Sequence, residues 1–526
     1  MRLTIEGARV IDPASQFDEI TDLHIAAGHI LALGAAPEGF SPNQRIDARG
    51  LIACPGLVDL NVSLREPGYS RKGSIASETR AAAAGGVTTL CCPPDSRPVL
   101  DTPAVAELIL DRSQAAGNAR VLPIGALTKG LEGEQLSELV ALRDAGCVAF
   151  TQGLRPMGSN RILRRALEYA ATFGLTIIFT PQDADLAEGG MAHEGPTASR
   201  LGLVGIPESA ETVALARDLL LIEQTGVRAH FSGLTSARAM DMLADAQARG
   251  LPVTADVAAY QLLLCDEDLT GFSSQLHVMP PLRSADDRRA LRQAVQSGVV
   301  QAIASHHQPH EAEAKRVPFA ASAPGISSVE ILLPLTMTLV ADGLLEMPAA
   351  LSRVTTGPAA ALGLSAGQLS LGGAADITLF DPAQACEIGR NWLSRGANCP
   401  FIGKGAPVAV THTLYGGKLV YQTHRPERRS NAAHDTTLSD WKEPWHGRIR
   451  LAWQITAGPG AGLPAGTGTC RPDRLVGTQR HSRPLWRGLR TQCDAAEPGK
   501  DQRADQPRAG AVVALRQFCG DPSVAA

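Results

Sequence analysis

The sequence lacks the features that mark several large protein classes. No apolar run reaches the roughly 18 residues needed to span a bilayer, and the first twelve residues alternate like a strand instead of placing a basic segment before an apolar one. The formal charge is −4 over 526 residues, and no basic stripe is present to attract nucleic acid or an anionic membrane. We therefore expect a cytoplasmic globular protein, with no nucleic-acid or membrane partner.

The cysteines also lack a recognisable pattern. The chain has ten, scattered singly apart from Cys91 and Cys92, and none forms a C-x-x-C pair. In a chain of this length such scatter predicts reduced thiols and not a disulfide framework. Cys91 and Cys92 lie in the apolar run 87–92, where packing in the core is the more common role.

Eight short apolar runs separated by helical patterns are the main feature that is present. They span residues 57–62, 87–92, 121–125, 147–151, 175–180, 227–232, 252–256 and 301–305. Eight strand–helix repeats predict an α/β fold of the TIM (β/α)8 barrel type.

The two ends of the barrel region have a different pattern. Residues 1–50 and 366–423 alternate like strands, which predicts one small composite β-domain built from both chain ends, with the barrel at 51–365. Residues 424–526 hold four of the five tryptophans together with Arg-, Pro- and Gly-rich stretches. That composition predicts a largely disordered tail, with an interaction arm as the alternative.

The start of the barrel carries a family resemblance. Residues 56–68 read GLVDLNVSLREPG, which resembles the dihydroorotase signature in which D-x-H-x-H runs into L-R-E-P-G. Further matches are GGVTT at 85–89, PPLR at 280–283 and SRGANCPF at 394–401, so the resemblance covers about residues 1–422. It implies a TIM barrel of the amidohydrolase type with a composite β-domain.

The resemblance also locates the family's metal ligands, and these positions carry other residues here. They are Asn61 and Ser63 in place of two histidines, Gln152 in place of the acidic bridging ligand, Thr180 and Gly233 in place of histidines after strands five and six, and His306 in place of the aspartate that is both ligand and general acid/base. Because the family's reaction depends on a metal-activated water, these replacements predict a chain without metal, cofactor or catalytic residues.

Arg65 is the retained residue that could hold a ligand carboxylate at the barrel mouth, with local ion pairing as the alternative. The nearby segment 93–96 reads PPDS where the family has M-P-N-T, so Asp95 places a carboxylate where an anionic substrate would lie. For His306, His307 and His310 a surface or loop-packing role is favoured over a new metal centre. His193 and His230 are interpreted as isolated structural histidines.

The resemblance implies a function as well. The sequence is similar to inactive dihydroorotase-like chains that associate with the catalytic subunit of aspartate transcarbamoylase, so we expect a structural partner in a hetero-oligomer of pyrimidine biosynthesis. Two alternatives stay open. One is a weak or altered metal-dependent cyclic-amide hydrolase that uses the strand-eight histidines, and the other is a non-catalytic sensor that binds a pyrimidine ligand through Arg65.

Overall fold

Strands from the start of the chain form most of a sheet beside the barrel. A computed structural model describes residues 2–423. Five strands precede the barrel: β1 (Arg2–Asp12), β2 (Phe17–Ala26), β3 (His29–Leu33), β4 (Gln44–Asp47) and β5 (Ile52–Pro55). β1 pairs antiparallel with β2 and parallel with β4 and β5. Its apolar residues Leu3, Ile5 and Val10 are fully buried in this sheet's own core.

The barrel consists of eight parallel strands, as the apolar runs predict. They are β6 (Leu57–Asp59), β7 (Val87–Cys92), β8 (Arg120–Ala126), β9 (Ala149–Thr151), β10 (Thr176–Phe179), β13 (Arg228–Phe231), β14 (Val253–Ala258) and β15 (Ala302–Ala304). The short β11 (Ala192–His193) and β12 (Gly205–Ile206) pair in the connection after β10. Between the last and first strands, a parallel bridge joins His307 to Val62, so the barrel is nearly closed. The predicted fold class is confirmed.

Helices pack around the barrel strands. They are α1 (Ile75–Ala84), α2 (Pro103–Ala116), α3 (Leu139–Asp144), α4 (Asn160–Thr172), α5 (Pro196–Leu201), α6 (Glu208–Thr225), α7 (Ala237–Ala248), α8 (Ala285–Ser297), α9 (Leu332–Ala341), α10 (Met347–Ser352) and α11 (Thr356–Leu362). Ser284 begins α8 with a capping box, in which its hydroxyl accepts from the amide of Asp287 and the Asp287 carboxylate accepts from the amide of Ser284. In residues 2–423 none of the helices is both long enough and apolar enough to cross a membrane.

The end of the described chain completes the first sheet. Its strands there are β16 (Ile377–Asp381), β19 (Ala409–Tyr415) and β20 (Lys418–Gln422), while β17 (Cys386–Glu387) and β18 (Gly405–Ala406) pair with each other in a separate two-stranded sheet. β16 lies between β5 and β19, which gives the order β20-β19-β16-β5-β1-β2-β3. The composite sheet predicted from both chain ends is therefore present. The disordered tail predicted for 424–526 lies outside the described residues.

Candidate functional site

Three side chains from neighbouring strands meet at the mouth of the barrel. TIM-barrel enzymes carry their active sites at the carboxyl ends of the strands. Here β13 supplies His230, β14 supplies Asp256, and the loop after β15 supplies His306. His230 and Asp256 are fully buried, and His306 is 6% exposed. We call these three residues the Asp256 cluster.

The carboxylate of Asp256 is fully engaged within this cluster. Its Oδ1 lies 2.7 Å from Nε2 of His306 and accepts a 2.8 Å hydrogen bond from the amide of Gly233. Its Oδ2 lies 3.0 Å from Nε2 of His230, whose Nδ1 lies 2.8 Å from the hydroxyl of Thr254. Both oxygens of this carboxylate therefore contact protein groups.

The charges in the cluster stabilise each other. Burial by itself would raise the pKa of Asp256, but His306 and His230 together hold it well below the usual range. Burial likewise opposes protonation of His306, yet the charge and hydrogen bond of Asp256 outweigh it and raise the pKa of the imidazole. The arrangement therefore favours an imidazolium–carboxylate pair in the interior of the barrel mouth.

Because Gly233 has no side chain, the His306 ring can pack against it. A Cβ placed on residue 233 would lie 2.8 Å from Cε1 of His306, closer than such atoms approach in proteins. Gly233 also has φ +72°, in the left-handed region that favours glycine. A histidine at position 233, as the family has, would therefore overlap the imidazole of His306.

Asn61 borders the cluster from the first strand. Its side-chain nitrogen lies 3.3 Å from Nδ1 of His306, and an imidazolium there requires the amide oxygen to face the ring instead. Asp59 lies beneath it, and its Oδ1 accepts from the amides of Ser305 at 3.0 Å and Asn61 at 3.3 Å. Burial raises the pKa of Asp59, although the hydrogen bonds from Ser305 and Asn61 oppose this rise.

Ser63 and Arg65 belong to a second group of contacts. Both reach Oδ2 of Asp95, the hydroxyl of Ser63 at 2.7 Å and Nη1 of Arg65 at 3.0 Å. Nε of Arg65 donates to the carbonyl of Pro309 at 3.2 Å, and the arginine side chain is 11% exposed. The Arg65 guanidinium thus forms the local ion pair that was the alternative to ligand binding. Ligand binding by Arg65 stays a prediction.

Gln152 and Thr180 lie apart from the Asp256 cluster. The Oε1 atom of Gln152 accepts from the hydroxyl of Thr128 at 2.8 Å, and its Nε2 donates to the carbonyl of Leu131 at 2.9 Å. Thr180 lines a cavity beside Gln152. Of the six positions aligned with metal ligands, the structure thus brings Asn61, Gly233 and His306 together and leaves the others in separate surroundings.

The strand-eight histidines are buried, so of the predicted surface or loop-packing role the structure shows packing. His307 is fully buried, with Nε2 2.9 Å from Oε2 of Glu78 and Nδ1 accepting from the amide of Ser328 at 2.9 Å. His310 is 4% exposed, and burial together with Arg65 and Lys72 lowers its pKa to about 3. His307 therefore has a packing role, and His310 stays neutral.

A metal centre of the family's kind does not fit these residues. Protein-bound zinc needs three or four imidazole, carboxylate or thiolate donors at about 2.0–2.3 Å. The replaced positions offer amide, hydroxyl or no side chain at five of six places. The two imidazoles of the Asp256 cluster already contact its carboxylate. Within residues 2–423, no group of three or more such donors is arranged around one ion.

The central role of Asp256 and His230 was not foreseen from the sequence. The sequence places Asp256 at the end of an apolar run and predicts an isolated structural role for His230. His230 is indeed fully buried and hydrogen-bonded, but its partner is the centre of the site. A charged residue in an otherwise apolar barrel strand was the signal available, since a buried carboxylate requires partners.

Comparisons with known proteins agree with this fold. The model of the family described as Dihydro-orotase-like matches residues 50–238. A "Dihydroorotase-like protein" from Pseudomonas aeruginosa is 68% identical over 422 residues, which is 80% of this chain and 100% of the relative. A "Dihydroorotase" from Anaeromyxobacter dehalogenans is 42% identical over 429 residues, 81% of this chain and 99% of the relative.

Solved structures resemble the chain in fold. The L-hydantoinase (dihydropyrimidinase) from Arthrobacter aurescens aligns with a TM-score of 0.71 at 22% identity, covering 80% of this chain and 96% of that one. A D-hydantoinase aligns with a TM-score of 0.67, also at 22% identity. With its barrel, its composite sheet and relatives that it matches over their whole length, the chain belongs to the dihydroorotase-like family of the amidohydrolase superfamily.

Proposed function

We propose that this chain is a catalytically inactive member of its family and serves as a structural partner of the aspartate transcarbamoylase catalytic subunit in pyrimidine biosynthesis. The observation that carries the proposal is the pairing of His306 with Asp256, with their side chains 7% and 0% exposed. An acid, a base or a metal ligand must be available to substrate, and these two side chains are already engaged with each other and with His230, Gly233 and Asn61.

The chemistry of the family's reaction supports this inference. Attack of water on an amide at neutral pH needs a hydroxide, which a bound metal supplies by lowering the pKa of water from about 15.7 to about 7. The residues at the barrel mouth offer no such donor set. His230 and His306, which carry the only imidazoles in the Asp256 cluster, both contact the carboxylate that a proton shuttle would need free.

The partner role rests on what the chain retains. Its barrel and composite sheet have extensive buried cores, so the loss of donors has not been accompanied by loss of the fold. A folded homologue with an internally paired site retains an outer surface for binding a subunit of the same pathway. The sequence resemblance supports the transcarbamoylase as that subunit.

The first experiment tests inactivity. Purified protein should contain far less than one zinc per chain by elemental analysis and show no dihydroorotase turnover above buffer, because the donors are absent. About one zinc per chain together with turnover would support the altered hydrolase instead. Calorimetric titration of carbamoyl aspartate and dihydroorotate tests the sensor alternative, for which Arg65 would have to leave Asp95.

The second experiment tests the partnership. The chain is co-expressed with the transcarbamoylase catalytic subunit of the same organism, and the mixture is examined by analytical ultracentrifugation. A joint species heavier than either protein, together with higher transcarbamoylase activity than the subunit alone, is the expected result. Separate sedimentation of the two proteins would remove the partner hypothesis while leaving inactivity untouched.

A further inference from the structure

A cavity opens at the barrel mouth beyond the ends of β9 and β10. Its volume is about 190 Å³, and its apolar side is formed by Leu163, Ile177 and Phe179. At about 30 Å³ for each water of the liquid, it has room for roughly six waters or one small organic molecule. The Asp256 cluster contributes no side chain to its lining.

Helix α6 presents a buried carboxyl group to this cavity. Asp218 is 1% exposed, and its Oδ1 accepts from Nε of Arg217 at 2.9 Å and lies 2.8 Å from Nη2 of the same guanidinium. Within residues 2–423, no group donates a hydrogen bond to its Oδ2. Burial raises the pKa of Asp218 to about 7, although Arg217 opposes this. The Oδ2 atom of this buried acid is therefore free to accept a hydrogen bond from another donor.

The loops across the cavity supply a cation and neutral polar groups. Arg155 is exposed, and Thr180 and Gln182 are partly buried. In the part of the chain that the structure describes, none of these three side chains makes a hydrogen bond or an ion pair. Asp183 and Asp185 line the same cavity, so a ligand with net negative charge would be repelled.

We propose that this cavity binds a free α-amino acid with an uncharged polar side chain. Its carboxylate would pair with Arg155, its ammonium group would donate to the open oxygen of Asp218, and its side chain would lie against Thr180 and Gln182. A zwitterion meets both charges of the cavity and has no net charge for the two nearby aspartates to repel. The inference is independent of the proposed partner function, and either can fail alone.

Calorimetric titration of the full-length protein tests the proposal. The probes are glycine, L-asparagine and L-glutamine, with acetate and methylamine as the two charged halves of an amino acid. L-Asparagine or L-glutamine should bind saturably, and more tightly than glycine, at concentrations where neither half does. The heat should also depend on the buffer, because the ligand's ammonium group favours the charged form of Asp218 and a fraction of a proton is released.

Matched variants assign the binding to this cavity. Arg155→Ala removes an exposed side chain, so the fold is retained, and the affinity should fall at least about tenfold through loss of a charged hydrogen bond. Asp218→Asn should weaken binding similarly and abolish the proton release. Arg164→Ala on α4 and Asp245→Asn on α7 remove charges outside the lining and should change nothing.

Three results would overturn the inference. One is the absence of saturable binding by both L-asparagine and L-glutamine. Another is acetate binding as tightly as they do, which would indicate a simple anion site. The third is unchanged affinity in Arg155→Ala, a variant whose result stands even if Asp218→Asn fails to fold.

Discussion

Removing the imidazole of His306 should destabilise the barrel strongly. The ring lies 2.7 Å from a fully buried carboxylate, and loss of one partner from a buried pair costs about 3–5 kcal/mol because the other charge is left in a medium of low dielectric constant. His230 stays within 3.0 Å of Asp256 and compensates in part. We therefore expect His306→Ala to lower the free energy of unfolding by about 3 kcal/mol, the lower end of that range.

A second substitution shows whether the ring itself fills the space at Gly233. Gly233→Ala alone should cost about 1–2 kcal/mol for the left-handed backbone, with a further cost from overlap with Cε1 of His306. When His306→Ala is already present, the overlap disappears and the backbone cost remains. The two changes should therefore be coupled by about 1 kcal/mol, within the usual range for residues in contact.

Urea unfolding followed by circular dichroism measures both quantities. Arg249→Ala is the control, because it removes only exposed ion pairs, with Glu223 and Asp245, and each such pair contributes about 0–1 kcal/mol. The reasoning fails if His306→Ala unfolds within the range of this control. It fails equally if Gly233→Ala costs the same with and without the imidazole.

Three other predictions concern pH, the tail and the vacated ligand positions. Asp256 raises the pKa of His306 in the folded state. The contribution of the protonated His306 to the free energy of unfolding should therefore be complete below the pKa of an unfolded histidine, about 6.5, and be lost as pH rises through the folded-state pKa. The decline in stability above pH 6.5 should thus be smaller in His306→Ala than in the parent protein. An equal decline in both would contradict the raised pKa of His306. Deletion after Thr423 should leave the thermal midpoint nearly unchanged, because the strands that pair in the composite sheet within residues 2–423 are all retained; a fall of several degrees would show that the tail packs. The double variant Asn61→His, Ser63→His should show no dihydroorotase turnover, because Asp256 stays bound to His306. It should assemble with the transcarbamoylase as the parent does. Turnover would indicate a nearly intact enzyme.

Local patterns predicted the fold because they act over short distances. Each barrel strand is a short apolar run between turn and helix signals, and burial on both faces of a parallel strand requires such a run. The strands β9 and β15 are shorter than the runs 147–151 and 301–305 that contain them, since strand ends are set by pairing partners elsewhere in the chain. Alternation at both chain ends predicted the shared sheet for the same local reason.

The candidate site depends on contacts that no local pattern encodes. His306 lies 50 positions from Asp256 and His230 lies 26 positions from it, so their meeting follows from strand order and not from spacing. The replaced positions Asn61 and Gly233 could be located from the resemblance, but the resemblance gave no sign that a neighbouring imidazole fills the space. The burial of Asp218 could not be predicted, because nothing in the local sequence of α6 distinguishes a buried acid from a solvated one.

The composite sheet has a consequence for synthesis on the ribosome. β5 ends at Pro55, and its partner β16 begins at Ile377, about 320 residues later. At about 5–20 residues per second, the edge of β5 emerges some 16–65 seconds before the strand that covers it. An open edge with apolar neighbours can pair with other nascent chains during that interval. The order of strands in this sheet therefore leaves the nascent chain with an exposed strand edge that the finished protein covers.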